Sequence, residues 1–354
     1  MSRPHLPRIV VGLSGGIDST VAALLLKQQG YEVLGVTLLL QTCGGTDVAA
    51  QAAAAAEQVG VSHRVIDCRG RFEQDVLRAC WGDFERGATP NPCVRCNALI
   101  RFDEMLSAGR ALGAELLATG HYARLHFDAQ GRPLLRRGLD PNKDQTYFLH
   151  AVAPATLRHV RFPLGDLTKP DVRRIAQANG LKNAASPESQ DVCFAGPDGH
   201  FSELLCQQFQ GRVTPGEFVD EAGKVLGRHA GIHRFTIGQR RGLGIATGER
   251  VKVVAIDPAT GTVTVSGRPE AACAHACRAE AFLWHRDPLA AGGRALAQVR
   301  YRQRAVPATL ECVEEGGLSV RVRFDEPVFG VTPGQSLVLY DGDLVLGGGR
   351  ITGT

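Results

Sequence analysis

Residues 12–19 (GLSGGIDS) constrain the fold more than any other stretch, because they set two adjacent glycines between an apolar run and an amphipathic one. Residues 8–12 (RIVVG) have the β-branched density of a buried parallel strand, and residues 21–29 (VAALLLKQQ) suit a helix that Gly30 can end in a left-handed conformation. The turn therefore sits at a helix N-terminus. Gly15 and Gly16 let backbone N–H groups approach a ligand, Asp18 and Ser19 are placed to cap the helix, and the positive end of the helix dipole faces the loop. Such a nest binds anionic oxygens. Neither the Gly-Lys-Ser/Thr of a Walker A loop nor the Gly-x-Gly-x-x-Gly of a dinucleotide fingerprint is present. The bland alternative is an ordinary strand-to-helix turn.

Strand and helix patterns continue to alternate: strand at 32–40, alanine-rich helix at 47–59, strand at 61–67, helices at 72–86 and 99–112, and a short strand at 115–118. This order predicts an α/β unit with a parallel sheet whose ligands gather beyond the carboxyl ends of the strands. Leu38 ends one strand, where it can cover a base or simply fill the core, and His121 follows another after Gly120. From about residue 211 short strands and glycine turns take over, with an Asp341-Gly342 hairpin near the end. We expect three domains: residues 1–205, a linker domain at 206–269 and a β-barrel at 270–354. A chain of 354 residues is long enough for that division.

The net charge of +4 is too small to establish nucleic-acid binding, although arginines cluster at 234–241 and 300–304. No apolar signal core precedes the first strand and no run reaches membrane-spanning length, so a cytoplasmic protein without a membrane partner is expected. The oligomeric state is unreadable, with a monomer as the default. Ten cysteines lie scattered without framework spacing, which favours reduced thiols, most of them core fillers. The pair Cys93-x-x-Cys96 differs: two prolines mark residues 87–97 as an irregular exposed loop, where such a pair can be redox-active, bind zinc or contribute to an iron–sulfur cluster. Cys193, beside Phe194, falls in a second predicted loop at 186–196. Lys143, Asp144 and Gln145 form a polar turn able to contact phosphate, base edges or each other, and residues 167–171 read as a helix cap.

The Ser-Gly-Gly-x-Asp-Ser turn resembles the pyrophosphate loop of ATP pyrophosphatases. The ordered set GLSGGIDS, TPNPxxxCN, ATGHYAR, GLDPNKDQTYFL, SQDVCF, TIGQRRGLGI, RYRQ and VTPGQSLVLYDGDLVLGGG resembles the tRNA-specific 2-thiouridylases, the MnmA family, from residue 8 to the C-terminus. The resemblance implies ATP- and Mg2+-dependent replacement of the C2 oxygen of wobble uridine 34 by sulfur in the tRNAs for lysine, glutamate and glutamine. It places ATP on Gly12, Leu13, Ser14, Gly15, Gly16, Ile17, Asp18, Ser19, Leu38 and Gly120. It places the target base on Asn91, Pro92 and Cys93, other tRNA contacts on Lys143, Asp144, Gln145, Arg300 and Tyr301, and His121 and Gln335 beside that site. The implied sulfur chemistry uses Cys96 and Cys193: Cys193 takes sulfur from a relay protein as a persulfide, and Cys96 releases it by forming a disulfide.

Where the better-known family pattern has aspartate after Asn-Pro, this chain has Cys93, so that residue's acid or base role does not carry over. Cys93, Cys96 and Cys193 can instead hold three irons of a 4Fe–4S cluster whose fourth iron binds sulfide, making sulfide an alternative donor. A longer acidic insert of many relatives is cut to 41–47 here, with Cys43 as its remnant or an exposed thiol. Two other classes compete. One is a small-molecule ATP-pyrophosphatase ligase, and the other a noncatalytic RNA-binding or iron–sulfur carrier protein.

Overall fold

The computed structural model describes residues 6–41, 47–185 and 201–354. The chain divides into two compact units, one made of Met1–Glu73, Cys93–Phe194 and Asp343–Val345, the other of Gln74–Pro92, Ala195–Gly342 and Leu346–Thr354.

The first unit is built on a parallel sheet. Strands β1 (Arg8–Gly12), β2 (Glu32–Leu39), β3 (Ser62–Asp67), β4 (Leu116–Ala118) and β7 (Val160–Arg161) lie in the order β3-β2-β1-β4-β7. Ile9, Val10 and Val11 are fully buried. Each contributes about 1.5–3 kcal/mol relative to exposure, so the first strand anchors the sheet. Helices α1 (Ile17–Gln29) and α2 (Val48–Val59) cross over between strands. The strand order reverses at β1, with β2 on one side and β4 on the other. Open α/β sheets leave a crevice at such a switch point, and the loops after β1 and β4 both open onto it. A hairpin of β5 (Ala123–Phe127) and β6 (Pro133–Arg137) completes the unit, together with Asp343–Val345. There Leu344 pairs with Arg136, while Asp343 accepts from Arg124 at 2.8 Å and Arg136 at 2.5 Å.

The predicted capping segment forms as expected. Thr168 caps the helix Lys169–Ala178 in a capping box with Asp171, with proline in the first turn. The prediction of an irregular loop at 87–97 needs correction. Pro92–Cys96 is helical and continues through a π-turn, Asn97–Arg101, into the helix Phe102–Ala111. Proline at the first helical position gives up no hydrogen bond, so Pro92 starts a helix there rather than breaking one.

The second unit contains β8 (Gly216–Val219), β9 (Val225–His229), β10 (Lys252–Asp257) and β11 (Thr262–Ser266), in the order β10-β11-β8-β9 around Phe218, Val253 and Val263. A barrel follows: β12 (Cys273–Trp284), β13 (Arg294–Gln298), β14 (Val306–Glu314), β15 (Ser319–Phe329), β16 (Ser336–Asp341) and β17 (Leu344–Gly353), ordered β12-β15-β14-β13-β16-β17 and closed by β17 on β12. Closure pairs the two end strands of the barrel with each other. Gly342 turns the last hairpin with φ +58°.

Candidate active site

A cavity of about 490 Å³ opens at the switch point of the parallel sheet. Of the residues expected to meet nucleotide or tRNA, Gly12, Leu13, Ser14, Asp18, Ser19, Leu38, Gly120, His121 and Gln145 line it. Gly15, Gly16 and Ile17 are not among its lining, and the Ile17 side chain is buried in the core behind it. Sequence reading missed Thr37, Arg69, Arg101, Met105 and Thr119, which also line the cavity.

The loop is held from several sides. Leu13 extends the ladder, its N–H donating to Val36 O at 2.8 Å, and its carbonyl accepts from the Thr37 hydroxyl at 2.7 Å. Gly15 adopts φ +77°, and a Cβ there would lie 2.6 Å from Gln51 Cβ, so both conformation and packing require glycine. Its carbonyl accepts from Asn183 Nδ2 at 2.9 Å. Gly16 is the N-cap of α1 and receives no side-chain cap. The expected capping by Asp18 and Ser19 is therefore corrected. Ser19 Oγ accepts from Ser14 N at 3.2 Å and donates to Gly16 O at 3.0 Å, stitching the loop together. Asp18 is held by Lys169 and Tyr122 instead, with Lys169 Nζ 2.6 and 2.8 Å from its two carboxylate oxygens and the Tyr122 hydroxyl donating at 2.7 Å. With no side-chain cap, the start of α1 keeps the positive end of its dipole, an anion-receptive feature beside Asp18 and Ser19 of the cavity lining.

Across the crevice, Gly120 backs directly onto the loop: a Cβ would sit 2.9 Å from Asp18 C and Ser19 N. His121 Nδ1 lies 2.7 Å from Thr119 Oγ1, with its ring stacked on Phe102 at 6.0 Å between centroids. Burial, and then the charge of Arg101, push its pKa down to about 3, so the imidazole is neutral at physiological pH. It can exchange hydrogen bonds there but supplies no positive charge. The unfolded chain, with a value near 6.5, takes up this proton more readily. The stability His121 contributes is therefore complete above that pH and is lost as pH falls toward about 3. Replacing His121 with Gln is expected to flatten the acid limb of a melting-temperature profile below pH 6.5. An imidazole resonance assigned to His121 that titrates between about pH 6 and 7 would refute this account.

Gln145 and Tyr122 hold each other reciprocally: Tyr122 N donates to Gln145 Oε1 at 3.0 Å and Gln145 N to Tyr122 O at 3.0 Å. Lys143 is half-buried. Asp144 is buried and accepts from Arg137 at 2.9 Å, Gly138 N at 3.0 Å and the Thr146 hydroxyl. Its carboxylate folds the turn that carries Lys143 and Gln145.

In the second unit, four sequence motifs meet. Thr89 donates from its hydroxyl to Thr236 Oγ1 at 3.0 Å and from its N–H to Pro333 O at 2.8 Å. Gln335 Nε2 donates to Thr89 O at 2.9 Å. Arg300 Nη2 donates to Ile237 O at 2.7 Å and Thr332 Oγ1 at 2.6 Å, and the neighbouring Tyr301 ring lies under Arg302. This knot fixes the backbone immediately before Asn91 and Pro92.

Cys93 is half-buried and Cys96 is 3% exposed, one helical turn apart on the same face. Cys193 lies outside the described residues, as does Cys43. Cys68, read from sequence as a core filler, is near enough to Cys96 to interact with it electrostatically. Its thiol is pushed up to about 11, chiefly by burial and then by Glu104 and Asp67, so it stays protonated at neutral pH. Among the described residues no group of three or more His, Cys, Asp or Glu side chains is arranged to hold a metal, so those residues alone do not supply the ligand set of the expected cluster.

Family models described as tRNA methyl transferase HUP domain, tRNA methyl transferase PRC-barrel domain and Aminomethyltransferase beta-barrel domain match residues 7–197, 202–267 and 274–351. The tRNA-specific 2-thiouridylase MnmA of a Synechococcus strain is 45% identical over 352 residues, covering 98% of this chain and 97% of its own. That of Microcystis aeruginosa is 44% identical over 356 residues, covering 98% and 99%. That of Trichormus variabilis is 43% identical over 352 residues, again covering 98% and 99%. No helix among the described residues is long and apolar enough to cross a membrane.

Proposed function

Because the chain belongs to the tRNA-specific 2-thiouridylase family, we propose that it thiolates C2 of wobble uridine 34 in the tRNAs for lysine, glutamate and glutamine, consuming ATP. The observation that carries the reading is that one cavity joins the loop after β1 to Arg101, His121 and Gln145. Its volume of about 490 Å³ suits a nucleotide-sized ligand.

In this reading the uridine O2 attacks the α-phosphorus of magnesium-bound ATP and pyrophosphate leaves. The problem being solved is that an amide-like oxygen leaves poorly and an adenylate leaves well. Gly12 to Ser19 receives the polyphosphate, Leu38 covers the base, and neutral His121 is available to hydrogen-bond without repelling a cation. Asn91, Pro92 and Cys93 meet the extruded uridine, with Gln335 holding the Thr89 carbonyl just before that segment. The terminal sulfur of a Cys193 persulfide then attacks C2 and AMP departs. The Cys96 thiolate takes the inner sulfur, leaving a Cys96–Cys193 disulfide that an external thiol must reduce. A second reading uses sulfide and an iron–sulfur cluster on Cys93, Cys96 and Cys193. Its support is that Cys93, where aspartate was expected, shares a helix face with Cys96. The domain division read from sequence assigns adenylation and thiolation to 1–205 and tRNA contacts to 206–269 and 270–354.

Incubating the protein with unmodified tRNA transcripts, ATP and magnesium, and either a persulfide donor or sulfide, tests this. We expect 2-thiouridine in the digested tRNA with one pyrophosphate released per sulfur inserted. Absence of thiouridine with both donors, or methylated uridine formed from S-adenosylmethionine instead, would overturn the assignment.

A further inference from the structure

The disulfide that sulfur transfer leaves behind has to return to thiols before the next cycle, and its Cys96 sulfur is badly placed for direct reduction. Cys96 is 3% exposed, and an external thiol must reach the sulfur it attacks. Cys68, near enough to interact with Cys96 electrostatically, is 4% exposed, so a disulfide passed to it would stay sealed off. Cys93 differs: it is half-buried, and it stands three residues before Cys96 on the short helix Pro92–Cys96. Residues so spaced on an α-helix have Cα atoms about 5 Å apart, inside the range of roughly 4.4–6.8 Å that a disulfide spans. Their Cβ atoms lie about 5–6 Å apart, wider than the roughly 3.5–4.5 Å of a relaxed bridge. A bond made there pulls against the helix and is easily reduced, which suits a link broken in every cycle.

We propose that Cys93 is the resolving thiol of this site: it takes Cys96 out of its disulfide with Cys193, so that the external reductant meets a Cys93–Cys96 disulfide whose Cys93 side is only half-buried. The proposal rests on the persulfide reading above and adds to it the step that follows sulfur insertion. The Cys93 thiolate bonds to the Cys96 sulfur, the Cys96–Cys193 bond breaks, and Cys193 leaves as a thiolate that takes up the proton Cys93 gave up. One disulfide and one thiol stand on each side of this exchange, so nothing is oxidised or reduced in it. A dithiol reductant then opens the Cys93–Cys96 bond and is itself oxidised to a disulfide. Cys193 is meanwhile ready for the next persulfide.

Two measurements on the full-length chain test this. The first needs neither tRNA nor ATP: Cys193→Ser is oxidised with glutathione disulfide and digested without reduction. Trypsin cuts after Arg95 and so parts the two cysteines unless they are bridged. We expect mass spectrometry to find the two peptides joined; Cys96 recovered without a bond to Cys93 overturns the proposal. In the second, wild type and Cys93→Ser thiolate tRNA from a persulfide donor with a dithiol present, and the steady-state rate is divided by the first-turnover rate. That ratio should fall at least about tenfold in Cys93→Ser, with the Cys96–Cys193 disulfide accumulating. A ratio within about twofold of wild type overturns the proposal, since reduction would then proceed without Cys93. Absence of any first turnover in Cys93→Ser overturns it too, because Cys93 would then act before sulfur insertion. A wild type that makes no thiouridine counts against the thiolation reading and is seen before Cys93 is changed, whereas a wild type that turns over steadily beside an unaltered ratio sinks the resolving step alone.

Discussion

Serine in place of Cys96 is expected to cut 2-thiouridine formation by on the order of 10³-fold or more while tRNA-dependent pyrophosphate release continues. A hydroxyl can neither attack a persulfide at neutral pH nor close a disulfide, so sulfur transfer stops after activation. Activation survives because Cys96 is not part of the nucleotide cavity's lining. Its burial at 3% leaves room for an oxygen smaller than sulfur without new contacts, and the helix it sits on ends in a π-turn that leads to Arg101 in the cavity wall. Nucleoside analysis and pyrophosphate release measured on the same samples check both halves. Thiolation by Cys96→Ser within about tenfold of wild type would remove Cys96 from the sulfur chemistry. Alanine at Cys93 separates the two sulfur routes when cluster absorption after anaerobic reconstitution with iron and sulfide is read, because only the cluster route loses an iron ligand there.

Alanine at Gly120 is expected to cost about 10²-fold in ATP turnover, the scale associated with a displacement of about 1 Å in reacting groups. The added Cβ would stand 2.9 Å from the Asp18 carbonyl carbon and from Ser19 N. Those neighbours are backbone, which cannot swing aside as a flexible side-chain end can. Either the loop after β1 or the segment after β4 must retreat, and the phosphate loop loses its seat. Pyrophosphate release with a titration of ATP concentration measures the loss. Turnover within twofold of wild type would mean that the loop tolerates the shift and that its position is not set by Gly120.

The strand-helix alternation was legible because hydrophobic period and glycine punctuation are local properties. Gly30 ends α1 in the left-handed region, and Thr168 with Asp171 starts its helix by a capping box, as their spacing predicts. The placement of Gly12, Ser14, Leu38, Gly120 and His121 around one crevice was legible for the same reason, since each stands at a strand's carboxyl end. What escaped was long-range. Nothing near Lys169 or Asp18 announces a pair formed between residues so far apart, and Asp18 was taken for a helix cap because its position in the turn fits one. Pro92 was read as a breaker, although proline in a first turn is a helix starter. The burial of Asp144 is likewise not visible in the composition of its polar turn, since Arg137 and the surrounding N–H groups that compensate it are brought in by folding.

Asp343 gives the chain a property that its order of domains conceals. Although it comes at the end of the barrel hairpin in sequence, it belongs with the first unit, where it accepts from both Arg124 and Arg136. A polypeptide cut after residue 205 would therefore lack a piece of the body it was meant to isolate, with two guanidinium groups of the β5–β6 hairpin deprived of their shared carboxylate. The two units are consequently not separable beads. The first unit awaits residues that follow the linker and most of the barrel strands in chain order, so its completion is tied to synthesis through that hairpin.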